Sequence, residues 1–69
     1  MDVTAEVTGK VWKVLVAPGA RVQAGDTLLI AESMKMEIPV DSPCDGVVQQ
    51  IFVGENDPIE EGMTVASVG

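Results

Sequence analysis

Lys35 is the residue around which chemistry can be built. It stands in the stretch "AESMKMEIPV", residues 31–40, with Met34 and Met36 on either side and Glu32 and Glu37 just outside them. A lysine amine, once deprotonated, is a nucleophile toward activated carboxyl groups, and acylation removes its charge. The ordinary alternative is a solvated amine in a surface turn. Little else in the chain is equipped for reaction. There is no histidine and one cysteine, Cys44, which excludes serine–histidine and cysteine–histidine catalysis and the usual zinc ligand sets. No catalytic and no metal-binding residue is assigned.

The elements that hold Lys35 follow from an internal repeat. Shifted by 37 residues, "GKVWKVLVAPGARVQAGDTL" from Gly9 aligns without gaps on "GVVQQIFVGENDPIEEGMTV" from Gly46. The matched pairs include Val11/Val48, Val14/Ile51, Val16/Val53, Val22/Ile59, Gly25/Gly62 and Leu28/Val65, and upstream Val3/Val40 and Val7/Cys44 keep the register. Such self-similarity marks a duplicated structural unit. The repeat divides the single domain, residues 1–69, into halves at about 3–31 and 40–68 joined by a hairpin at 32–37.

Each half reads as short strands cut by turns. Val3–Val7 alternates, Lys10–Val16 is apolar-rich, "APGA" (17–20) is a turn, and Arg21–Ala24 and Thr27–Ala31 flank the Gly25-Asp26 turn. The second half repeats this with turns at "GEND" (54–57) and "EEGM" (60–63). Val, Ile, Leu and Phe make up 20 of 69 residues, and 12 of them are Val. That β-branched excess favours strands. Eight short strands of this spacing point to an all-β antiparallel sandwich or flattened barrel, its halves related by a pseudo-twofold. Both copies step by three between apolar positions (Val11 to Val14, Val48 to Ile51), which requires a shared kink or bulge.

The hairpin at the duplication midpoint is therefore a protruding turn, yet its tip, Met34-Lys35-Met36, contains no glycine. Leaving a large apolar side chain in water forgoes about 1.5–3 kcal/mol. Methionine is favoured where a surface is gripped by a partner; otherwise, one of the two folds back as core.

The remaining residues of note are structural. Gly9, Gly25, Gly46 and Gly62 mark positions of positive φ or close backbone approach. Pro39 fits a strand start or an edge. Cys44, paired with Val7 by the repeat, reads as a small buried hydrophobe, and Trp12, paired with Gln49, as half exposed. A net charge of −7 excludes nucleic acid and anionic membrane surfaces as partners. The acidic excess comes from residues 38–69, which carry six acids and no base; such a surface favours solubility. There is no apolar run long enough to span a bilayer, the first ten residues are polar and alternating, and the lone cysteine fits a reducing cytoplasm.

The motif "AESMKMEIPV", with "SPCDG" (42–46) and "GENDPIEEG" (54–62) in the second copy, resembles the attachment motif of biotinyl domains. The resemblance extends over the whole chain. It implies a barrel-sandwich of two four-stranded antiparallel sheets with Lys35 as the acceptor of covalent biotin. It further implies a biotin protein ligase that loads Lys35, and a biotin carboxylase and a carboxyltransferase between which the arm shuttles activated CO2. Met34 and Met36 match positions that help recognition, and Glu32 and Glu37 match acidic family positions; a solvated pair is the equal alternative for the glutamates. Ser33 stands where many carriers have alanine. The constant offset leaves no room for the protruding "thumb" insert of some carrier subunits, so the chain looks like a minimal biotinyl unit, free-standing or excised from a larger carboxylase. A lipoyl carrier on the same fold, or an acceptor of both groups, is the alternative; lipoyl domains normally show Asp-Lys-Ala at the lysine.

Overall fold

The computed structural model describes residues 1–69. Eight strands run in chain order: β1 (Asp2–Thr4), β2 (Gly9–Val14), β3 (Arg21–Val22), β4 (Thr27–Ser33), β5 (Met36–Asp41), β6 (Gly46–Ile51), β7 (Pro58–Ile59) and β8 (Thr64–Val68). They form two four-stranded antiparallel sheets, ordered β1-β8-β6-β3 and β5-β4-β2-β7. Shifting each strand of the first half by 37 residues lands it on a strand of the second. The two sheet orders then map onto each other, as a pseudo-twofold demands.

The step of three has its physical cause in this pairing. Along β2 the ladder to β4 runs Val11↔Ala31 and then Lys13↔Ile30, so Trp12 is an extra residue in a β-bulge. Along β6 the ladder to β8 runs Val48↔Val68 and then Gln50↔Ser67, so Gln49 is extra in the same way. A bulge resets the alternation, and Val11 with Val14, and Val48 with Ile51, then face the same interior. The bulged residues point out, and Trp12 is 44% exposed.

The core is aliphatic and thin. Fourteen buried residues form one cluster, led by Leu28, Leu29, Ile59, Val11, Val48, Val65 and Val68. Both sheets contribute one face, as expected of a sandwich. Val7 and Cys44 pack against the cluster at equivalent, partly buried positions. Pro39 lies within β5, an edge strand, where its missing N–H costs no ladder bond.

Several element bounds differ from the sequence expectation. The Val3–Val7 strand stops at Thr4, because Ala5 turns its backbone to the 60–63 turn: its N–H donates to the Met63 carbonyl at 2.8 Å, and its carbonyl accepts from Gly62 at 2.8 Å. The Lys10–Val16 strand begins at Gly9 and ends at Val14, and Arg21–Ala24 shortens to Arg21–Val22. Thr27–Ala31 lengthens to Ser33, because β5 keeps pairing with it to the Ser33↔Met36 rung.

Candidate functional site

The β4–β5 hairpin is tighter than the six-residue segment expected at 32–37. Ser33 pairs with Met36 and Glu32 with Glu37, so only Met34 and Lys35 remain in the turn. Both adopt left-handed backbone, φ 53° and 66°. Two consecutive positive φ values in a two-residue loop are the mark of a type I′ turn, whose twist matches that of the strands it joins. Asn-Gly is the usual occupant, since other side chains resist this conformation.

The turn displays its side chains fully. Met34 is 91% exposed and Met36 63% exposed, so neither methionine folds back into the core, and Lys35 between them is exposed as well. The two surface depressions of the chain lie along β3 and β6 (Arg21 to Gln23, Asp45 to Val47) and between the β1 segment and β5 (Thr4, Glu6, Val7, Ile38 to Asp41). Neither includes Met34, Lys35 or Met36. The amine thus stands outside any concavity, suited to present a group rather than to enclose one.

The two glutamates are brought together by the register. Glu37 lies directly opposite Glu32, and Lys10 of β2 lies opposite Glu32 on its other side. Residues directly opposite in an antiparallel sheet share a face. Lys10, Glu32 and Glu37 therefore form one charged row beneath the tip.

The hairpin base is pinned by contacts that the sequence did not single out. The Ser33 hydroxyl donates to the Thr8 carbonyl at 2.8 Å, and the Thr8 hydroxyl accepts from the Glu61 N–H at 3.1 Å. Gly9 packs its α-carbon against the Glu32 carbonyl so closely that a Cβ could not be accommodated. These links join residues far apart in the chain, and no local pattern announces them. The nearest signal was Ser33 in place of alanine, and here it has a defined bond. Cys44 is half-buried, and its carbonyl accepts from the Ser42 hydroxyl at 2.6 Å. No cluster of three or more His, Cys, Asp or Glu is placed to hold a metal ion.

The turn carries a stability cost that can be measured. Asparagine tolerates left-handed backbone better than methionine, and Met34 has almost no packing to lose. Met34→Asn should raise unfolding free energy by about 0.5–1 kcal/mol, read as a higher urea midpoint with an unchanged m-value.

The profile of the family described as "Biotin-requiring enzyme" matches residues 1–68. A Mycobacterium leprae protein named biotinylated protein TB7.3 homolog is 40% identical over 67 residues, 97% of this chain and 94% of that one. A Bacillus subtilis biotin/lipoyl attachment protein is 39% identical over 62 residues, 90% of this chain and 85% of its own length. Among solved structures, Kluyveromyces lactis urea carboxylase superposes with a TM-score of 0.95 at 36% identity, covering 100% of this chain and 6% of that one.

Proposed function

The chain belongs to the biotin-requiring enzyme family, and from that premise we propose that Lys35 is the residue that carries the biotin. The chain is a biotin carboxyl carrier, a component of a biotin-dependent carboxylase that does no chemistry of its own. The observation that carries the assignment of Lys35 is its place at the apex of the β4–β5 turn, exposed between two exposed methionines. The other lysines, Lys10 and Lys13, lie within β2 in a paired ladder.

Lys35 acts first as a nucleophile. Its deprotonated Nζ attacks the carboxyl carbon of biotin activated as an adenylate on a biotin protein ligase; an amide bond forms, AMP leaves, and the lysine charge is lost. Biotin then supplies the atom that carries activated CO2 from a biotin carboxylase to a carboxyltransferase. The chain's own contribution is tethering, because a group fixed to a scaffold meets each partner site at a raised effective concentration. Met34 and Met36 supply adaptable apolar contact to those partners, and Glu32 and Glu37 offer them a negative row at the hairpin base. These encounters take place in the cytoplasm, where a single unpaired cysteine stays reduced.

The similarity to a biotin/lipoyl attachment protein keeps lipoate as a second acceptor reaction at the same lysine. Expression with biotin and lipoate both supplied, followed by intact-mass measurement, tests the proposal. The expected product has a single biotin adduct, is captured by avidin, and maps to Lys35. A product carrying lipoate alone, or an adduct on Lys10 or Lys13, would overturn it.

A further inference from the structure

We propose that Met34 and Met36 form an oxidation site: peroxide converts them to sulfoxides and thereby blocks loading of Lys35. The inference rests on the reading of Lys35 as the biotin acceptor. The chain has four methionines. Met34, at 91%, and Met36, at 63%, are exposed on both sides of Lys35, whereas Met63 is partly buried against the core. Met1 is exposed at 67%, but it precedes β1, on the sheet that does not carry the hairpin.

Reactivity of a thioether toward peroxide follows access to its sulfur. The sulfur lone pair attacks one peroxide oxygen, the O–O bond breaks, and the sulfur is oxidised by two electrons to the sulfoxide. The peroxide is reduced, and its second oxygen leaves as water. No other oxidant or cofactor is needed. The product side chain is polar and chiral where the thioether was apolar and adaptable. A ligase that buries the tip around Lys35 must desolvate that sulfoxide. Nothing at the apex bonds it in compensation, because the pinning hydrogen bonds start at Ser33, below the turn. The same exposure that makes the methionines a grip opens both sulfurs to oxidants. The lesion is reversible by the two epimer-specific methionine sulfoxide reductases, so the site can be switched back.

The test treats the 69-residue chain with hydrogen peroxide and follows it by peptide mapping and by labelling with a biotin protein ligase. Mapping should show oxygen gained at Met34 and Met36 well before Met63. Labelling should fall about tenfold, as expected when a polar group enters a desolvated apolar contact without a partner, and reductase treatment should restore it. In the Met34→Leu/Met36→Leu variant the ratio of treated to untreated labelling should return to one, although Met1 and Met63 still oxidise. Equal oxidation rates at Met36 and Met63, or undiminished labelling of the mapped double sulfoxide, overturns the inference. A peroxide loss that persists in the double variant does so too. Absence of labelling in the untreated chain strikes instead at the acceptor reading of Lys35, and the oxidation order remains a separate readout.

Discussion

Lys35→Ala should leave a folded chain that no longer takes up biotin. The side chain stands free at the apex of the hairpin and contributes nothing to the aliphatic core of Leu28, Leu29, Val11, Val48 and their neighbours. Surface substitutions away from special features usually change stability by less than about 0.5 kcal/mol. Alanine at φ 66° is no better suited to left-handed backbone than lysine, so the turn is neither relieved nor further strained. The unfolding midpoint and far-ultraviolet circular dichroism should match the parent chain, while avidin capture after incubation with a biotin protein ligase and biotin drops to background. Lys10 and Lys13 remain as controls within the same molecule. An avidin signal that survives the substitution would sink the assignment, and a collapsed spectrum would show that Lys35 has a structural role the geometry does not reveal.

Gly9→Ala should be the most damaging of the small changes to the scaffold. A Cβ at Gly9 runs into the backbone carbonyl of Glu32 and also meets the α-carbon of Ser33. Neither is the tip of a side chain that could swing aside. To admit a methyl group, β2 and β4 must separate at the base of the hairpin, next to the Ser33–Thr8 hydrogen bond. Overpacking typically costs about 1–3 kcal/mol, occasionally more, and a domain of this length has only about 3–10 kcal/mol in total. Equilibrium unfolding in urea should report a loss of that size. The equivalent Gly46→Ala is the internal comparison. There the Cβ would meet Gly69 backbone atoms at 3.2 Å, an overlap that a shift of a few tenths of an ångström relieves. The Gly46 variant should therefore lose less. Equal losses would mean that the tight contact beneath the hairpin is not what holds Gly9.

The contrast between these two glycines shows where sequence reasoning reaches and where it stops. Their equivalence was plain from the repeat, and so was the expectation that each marks a turn or a close approach. What approaches them was not. Glu32 and Gly69 are themselves 37 residues apart, so the twofold is kept in the backbone, but the Glu32 carbonyl lies much closer to Gly9 than Gly69 does to Gly46. The consequence of adding a methyl group differs accordingly.

The sequence by itself determined the architecture and the singular position of Lys35. The reason is that both depend on patterns along the chain: apolar residues alternating with polar ones, a repeat without gaps, and one lysine at its midpoint. Even the paired bulges at Trp12 and Gln49 were written as a step of three in each copy. Strand ends were less legible. Ala5 leaves its strand for the Met63 carbonyl, a partner that no local composition indicates. Only the tertiary structure decided that the turn is two residues long, that Met34 and Lys35 both take left-handed backbone, and that neither methionine returns to the core. It also set Glu37 opposite Glu32 and tied Ser33 to Thr8. These features depend on register and on contacts between residues distant in sequence, where a shift of one residue exchanges the faces of a strand. Such contacts exist only once both sheets have closed around the same core.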